Sequence, residues 1–172
     1  MTKVYVLGAG NPVPTPDRFG TAFVVQVDDD YLMFDCGPAA TAKMVKVGIL
    51  PTQIDYLFFT HHHSDHNTDY PCFLLTRWDQ SIGRESELEV RGPAPTAALT
   101  DRLLNEEYGA YNTDWLVRTQ LPAHLQVHVD RGGTLPRKPP SVLATDIEPG
   151  FVCEMPNWKV TASITEHSQP LL

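Results

Sequence analysis

The chain has 172 residues, 42% of them hydrophobic and 20% charged, and a formal net charge of −8. That length supports one domain with a sizeable core, and no stretch approaches the ~18 continuous apolar residues of a membrane span. Lys and Arg are scattered, so charge alone marks no face for polyanions, and "MTKVYVLGAG" is too short and wrongly flanked for a signal peptide. Three cysteines, Cys36, Cys72 and Cys153, show no CxxC spacing and read as reduced, mostly buried thiols. A cytoplasmic, mildly acidic domain is expected.

"KVYVLG" and "TAFVVQVDDDYLMFDCG" are rich in β-branched and aromatic residues. The acidic triplet Asp28–Asp30 splits the second run into a hairpin. "LGAGNPVP" follows the first strand, but Val13 stands where a dinucleotide fingerprint needs its third glycine. Pro12 and Pro14 also oppose a helix there, so a strand-to-strand turn is expected. "PAATAKMVKVGIL" has helical spacing with Gly48 as the C-terminal stop. "IDYLFFT" reads as a strand covered on both faces. "DYPCFLLTRWDQ" predicts a helix, "LEVRGP" a strand, and "TAALTDRLLNEEYGAY" a second helix with Leu99, Leu103 and Leu104 on one face. From about Leu121 to Pro140 the chain is Pro- and Gly-rich and loses periodicity, as a surface excursion would. "FVCEMPNWKVTASITEH" returns to paired strands. Strands with interleaved helices indicate an α/β or α+β layered domain.

The chemistry concentrates in "LFFTHHHSDHNTDY". Residues two apart in an extended segment point the same way, so His61 and His63 can approach one metal together. Asp65 and His66 follow where a turn enters the next helix, placed for a second metal. Nitrogen and carboxylate ligands without cysteine suit Zn²⁺ and also admit Mn²⁺ or Fe²⁺. Two metals about 3.5–4 Å apart can share a hydroxide and polarise a scissile bond. His62 points away from the metals on this reading. His124 and His128 share a helical spacing but lack a carboxylate in register, and read as a surface pair. Cys36 and Cys72 flank the motif without matching a ligand position and read as buried thiols. Trp115, Tyr108 and Tyr111 are candidates for a pocket wall, although helix core is the commoner fate of such aromatics.

"THHHSDH" after "IDYLFFT" resembles the zinc motif of the metallo-β-lactamase superfamily. "LGAGNPVPTPDRFGTAFVVQV" and "LMFDCGPAATAKMVKVGILPTQIDYLFFTHHHSDH" are similar to its ribonuclease Z, arylsulfatase-like and phosphodiesterase-like branch. The likeness is strong over residues 1–78, weak over 79–150, and returns at "WKVTASITEHSQP". It implies an αββα sandwich and a two-zinc site. His61, His63 and His167 would ligate the first metal, Asp65 and His66 the second, with Asp65 also orienting the attacking hydroxide and accepting its proton. Asp35 resembles the aspartate that braces the site from behind. The resemblance also implies a bridging aspartate and a final histidine beyond the position of His167, and the chain stops at Leu172. The expectation is therefore one metallo-β-lactamase-like domain over 1–172, incomplete at its C-terminus, with 79–150 an insertion-like segment of which Asp79 to Pro140 would overhang the site. Alone it would hold at most one metal firmly, and its apolar end "PLL" would favour association, which leaves a homodimer open.

The resemblance implies a zinc-dependent hydrolase acting on a small ester, sulfate ester or phosphodiester. The alternative is a transfer RNA 3′-processing endoribonuclease, with RNA as partner. The acidic charge, and Ser64 where bacterial ribonuclease Z sequences usually carry glycine, set the small substrate ahead of structured RNA. A truncated, non-catalytic metal-binding module is the reading from outside the enzymes.

Overall fold

The computed structural model describes residues 1–13 and 15–167. Six strands form one sheet in the order β1 (Thr2–Gly8), β2 (Ala22–Val27), β3 (Asp30–Phe34), β4 (Ile54–Phe58), β5 (Leu88–Gly92) and β6 (Val142–Asp146). β1, β2 and β3 are antiparallel neighbours, while β3 through β6 run parallel. The parallel half demands crossovers. They are supplied by α1 (Ala40–Lys46), by α2 (Ser64–Asn67) with α3 (Tyr70–Gln80), and by α4 (Thr96–Leu104), α5 (Asn112–Gln120) and α6 (Pro122–Asp130). A second sheet is the antiparallel pair β7 (Gly150–Met155) and β8 (Trp158–Ala162).

Alternation along the central strands assigns their residues to two cores. Met33, Leu57 and Val90 join Met44, Tyr70, Phe73 and Leu74 from the helices. Leu32 and Phe58 face the other way, against Val152, Cys153 and the partly buried Trp158 and Val160 of the β7–β8 pair. The pair is fastened by Trp158 Nε1, which donates to Asp30 at 2.8 Å, and by Arg91, which donates to the Val152 carbonyl at 2.8 Å. β4 thus lies between a helical layer and a strand layer, which explains its nearly unbroken apolar run. The β2–β3 hairpin, α1 with its stop at Gly48 (φ 82°), and the β7–β8 pair all stand where the residues predict them. Leu99, Leu103 and Leu104 pack on the helical core as expected.

The structure departs from expectation in the middle of the chain. α4 stops at Leu104, because Asn105 turns extended (φ −52°, ψ 137°) and its side-chain oxygen accepts from the Glu107 amide. The supposed excursion contains α6, which starts at Pro122, where the missing N–H costs nothing; among its residues only His128 is buried. An exposed helix of that kind carries no apolar stripe to read. β6 is an edge strand of mixed exposure and escaped prediction for the same reason.

The cysteines are free thiols, with Cys36 and Cys153 buried but Cys72 exposed on α3, contrary to its expected burial. Trp115 is core, donating to the Leu104 carbonyl, whereas Tyr108 and Tyr111 are exposed. No helix among the described residues is long and apolar enough to cross a membrane. Pro14 and the terminal "SQPLL" lie outside the described residues.

Candidate metal centre

β4 ends at Phe58, and the histidine segment leaves the sheet at the C-terminal ends of the parallel strands, where α/β sheets hold their ligands. His61 Nε2 and His63 Nδ1 stand 2.9 Å apart. Two nitrogen ligands of one tetrahedral zinc, each about 2.0–2.1 Å from the ion, are separated by about 3.3 Å, so the pair points at a common position. His167, in the loop after β8 rather than at the strand end, completes the group. One ligand atom each from His61, His63 and His167 lies within 4.8 Å of the others. His61 is buried, His63 half-buried and His167 exposed, which leaves one open side.

Asp65 and His66 lie beside this group, in the single turn α2. His66 Nε2 is 3.5 Å from an Asp65 carboxylate oxygen, and the His61 and His66 rings are 4.0 Å apart. Asp65 is 5% exposed, and its Oδ1 has no hydrogen-bond partner among the described residues. A buried carboxylate oxygen without a donor is costly. A cation there would satisfy it, so the donor set fits a metal.

Asp35 sets the tautomers. It sits at the end of β3 in the left-handed region (φ 58°), which aspartate tolerates better than most residues. Its carboxylate accepts from the Thr60 amide at 2.8 Å, the Thr60 hydroxyl at 2.9 Å and His66 Nδ1 at 2.8 Å. Because the Thr60 hydroxyl proton goes to Asp35, the Thr60 oxygen is left to accept from His61 Nδ1, 3.0 Å away. Both histidines then carry the proton on Nδ1 and turn a bare Nε2 toward the site, an outer-shell arrangement typical of metal-ligating histidines.

Burial, followed by the neighbouring His66 charge, holds His61 down at about 4, so it is neutral at neutral pH without help from a metal. At His66 burial also lowers the value, but the Asp35 hydrogen bond and the Asp35 and Asp65 charges together raise it above the usual histidine value. Two glycines hold the loop close. A Cβ on Gly37 would come within 2.1 Å of the Asp65 carbonyl oxygen, and one on Gly20 within 2.3 Å.

His62 turns away from the other histidines, as its place in the alternation requires, but it is not idle. Its Nε2 lies 2.7 Å from Thr96 Oγ1 and 3.2 Å from the Pro93 carbonyl, and Asn67 approaches its Nδ1 at 3.3 Å. It therefore latches the histidine loop to the turn before α4. Spacing cannot reveal this, since Pro93 and Thr96 lie more than thirty residues away. Thr60 was likewise missed, although its place next to His61 was the available signal.

The rest of the 79–140 region does not overhang the histidines as expected. Asp79, near the far end of α3, binds Arg118, Arg131 and Arg137 and gathers α5, α6 and the following loop at the opposite end of the sheet. His124 is exposed as expected, but His128 is not: it is 2% exposed, with Nε2 3.2 Å from the Thr134 carbonyl.

The profile of the Metallo-beta-lactamase superfamily matches residues 15–171. Ribonuclease Z of Mycobacterium marinum (strain ATCC BAA-535 / M) is 29% identical over 139 residues, 78% of this chain and 50% of that protein. Ribonuclease Z of Methanosarcina mazei is 26% identical over 172 residues, covering all of this chain and 47% of its own. Among solved structures, the metallo-beta-lactamase fold protein YhfI from Bacillus subtilis superposes with a TM-score of 0.66 at 18% identity, over 99% of this chain and 56% of that one. The chain spans about half the length of these curated relatives. With a family profile covering most of its residues and a layered α/β fold, the chain belongs to the metallo-β-lactamase superfamily.

Proposed function

We propose that this chain carries the metal-binding part of a hydrolase that cleaves phosphodiester bonds in RNA, in the manner of ribonuclease Z. The convergence of His61, His63 and His167, with the orphaned Asp65 oxygen beside them, is the observation that carries a metal-dependent reading. The ribonuclease Z relatives support RNA over a small ester or sulfate ester, and so favour the alternative that residue chemistry alone ranked second. In this reading His61, His63 and His167 hold one metal, while Asp65 and His66 contribute to a second. Bound there, zinc would supply Lewis-acid polarisation of the scissile phosphate and a lowered pKa for water. Mn²⁺ or Fe²⁺ would suit the same nitrogen and oxygen donors.

The protein's own part is electrostatic and positional. Asp35 presents the bare Nε2 of His66 to the site directly, and that of His61 through Thr60. Asp65, buried and beside both imidazoles, orients the attacking water and accepts its proton. The exposed flank at His167 is the side from which a phosphate backbone reaches the centre.

The test uses protein expressed from its complete coding sequence and loaded with zinc. Its substrates are a precursor transfer RNA with a 3′ extension, bis(p-nitrophenyl) phosphate, p-nitrophenyl sulfate and p-nitrophenyl acetate. Cleavage of the precursor that disappears in His63→Ala is the expected result. Turnover of the sulfate or acetate with the RNA untouched would overturn the reading. Metal binding without turnover of any of the four would favour a non-catalytic module.

A further inference from the structure

The six-stranded sheet has two edges, and they differ. β1 carries Lys3 and a register shift between Val6 and Gly8, devices that blunt an edge against further pairing. β6 has neither. Its register with β5 is unbroken, and its one charged residue, Asp146, turns its carboxylate to the Ala97 amide at 2.8 Å. The Leu88 amide donates to the Ser141 carbonyl, and the Ile147 amide to the Gly92 carbonyl. By the two-residue period, residues 141, 143, 145 and 147 turn their main chain to β5, and Val142, Ala144 and Asp146 turn theirs to the open edge. A groove between α4 and β6, lined by Ala97, Thr100, Leu104, Val142, Leu143 and Ala144, leaves that edge facing open space.

The side chains along this edge fit a second copy of it. Val142 and Ala144 pack on the helical core, so Leu143 points to the other face, where it is 50% exposed. Lys138 and Glu148 stand five residues before and after Leu143, and both are exposed. Each flank is pinned: Trp78 donates to the Lys138 carbonyl at 3.0 Å, and the Ile147 amide holds the chain just before Glu148. An antiparallel partner centred on Leu143 sets that leucine against its counterpart and Lys138 of each copy against Glu148 of the other. The same register pairs the outward main chains of Val142 and Ala144 with those of Ala144 and Val142 across the axis.

We propose that two copies of this chain join through β6, antiparallel about a twofold axis at Leu143, into one continuous sheet. The patch is complementary to itself, as a twofold interface requires. The two hydrogen-bonded pairs supply about four main-chain bonds. So small a contact falls below the ~1,200 Å² of a stable interface, and the dimer is a transient one with a Kd on the order of 100 µM.

Sedimentation of the protein expressed from its complete coding sequence should show monomer at about 5 µM and mostly dimer at about 1 mM, tenfold above that Kd. Ala144→Pro should stay monomeric and melt as the parent does, because the N–H it removes faces the open edge rather than β5. Lys138→Glu should weaken the dimer about tenfold, since like charges then meet at both ends, and adding Glu148→Lys should restore it. In a Cys72→Ser background, Leu143→Cys should cross-link two copies on oxidation, because opposed residues of a non-hydrogen-bonded pair lie about 4.5 Å apart. Thr145→Cys, roughly 13 Å from its counterpart, should not. Should Ala144→Pro fail to fold, the charge exchange and the cross-link decide. Monomer throughout the concentration range would overturn the proposal. So would a dimer unchanged in Ala144→Pro or in Lys138→Glu, or Thr145→Cys cross-linking as readily as Leu143→Cys.

Discussion

Replacing Asp35 by asparagine isolates the tautomer control from the fold. Asparagine has the same shape and tolerates the left-handed backbone at φ 58°. It keeps one oxygen acceptor and exchanges the other for an NH₂ donor. The Thr60 amide proton cannot be moved, so the remaining oxygen must face Thr60. The new NH₂ then faces His66 Nδ1, which was a donor 2.8 Å away. His66 must turn its Nδ1 into an acceptor, which places its proton on Nε2, the atom that faces Asp65. A protonated Nε2 cannot ligate. Disturbing such a partner costs about 10–100-fold in metal affinity, or roughly 1.4–2.7 kcal/mol. Loss of charge-assisted hydrogen bonds should lower folding stability by about 2 kcal/mol. Long-range ¹⁵N spectra of the imidazoles read the tautomer, chelator competition reads the affinity, and urea unfolding reads the stability. A folded Asp35→Asn protein that keeps His66 protonated on Nδ1 and binds metal as the parent does would refute the reasoning.

His63→Ala should lower zinc affinity by orders of magnitude, as expected when a three-histidine site loses one ligand. His62→Ala should keep zinc within a few-fold and instead lose about 1–3 kcal/mol of stability through its broken latch to Thr96; equal zinc losses in the two variants would sink the assignment. Gly37→Ala should destabilise by more than about 2 kcal/mol, because the added carbon collides with the Asp65 carbonyl, and a neutral result in thermal melts would contradict the close approach. For the metal-free chain, His61 has its folded value lowered to about 4 from about 6.5. Its contribution is therefore present above pH 6.5 and is lost as pH falls toward 4, up to about 3 kcal/mol. His66, shifted upward, works in the opposite sense. Urea titrations of the parent and His61→Asn across that window should differ in slope. On the proposed ligand assignment, zinc titrated into this chain should show one tight equivalent, since Asp65 and His66 alone would hold a second zinc weakly; two tight equivalents with brisk turnover would contradict this.

The parts legible in the sequence are those where a local pattern meets a buried surface. β4 is read from an unbroken apolar run because it is covered on both sides, and the convergence of His61 and His63 follows from the two-residue period. What stayed hidden depends on contacts between distant segments. β6 lies at the edge and α6 at the surface, so neither shows a full apolar period. Burial of His128 is created by the turn at Gly133 and Thr134 folding over it. His167 reaches His61 from 106 positions away, and only family likeness, not spacing, pointed to it.

The distribution of cations bears on how such a site could hold RNA. Of the 13 lysines and arginines, Arg77 is paired with Asp55, and Arg118, Arg131 and Arg137 converge on Asp79, at the end of the sheet opposite the histidines. Guanidinium groups committed in this way brace α3 against the later helices and release few counterions from a bound phosphate backbone. The other lysines and arginines are scattered along the chain, so on the proposed function the affinity of this chain for RNA comes from metal-centred contacts near the scissile bond with few of these charges added. Binding should therefore fall only gently with salt, with a logarithmic slope of magnitude below about 2, where six to ten phosphate contacts would give a slope several times steeper. Arg131→Gln should leave that slope unchanged. A steep slope that Arg131→Gln reduces by about one would place the RNA across the arginine cluster, and would move the substrate path to the other end of the sheet.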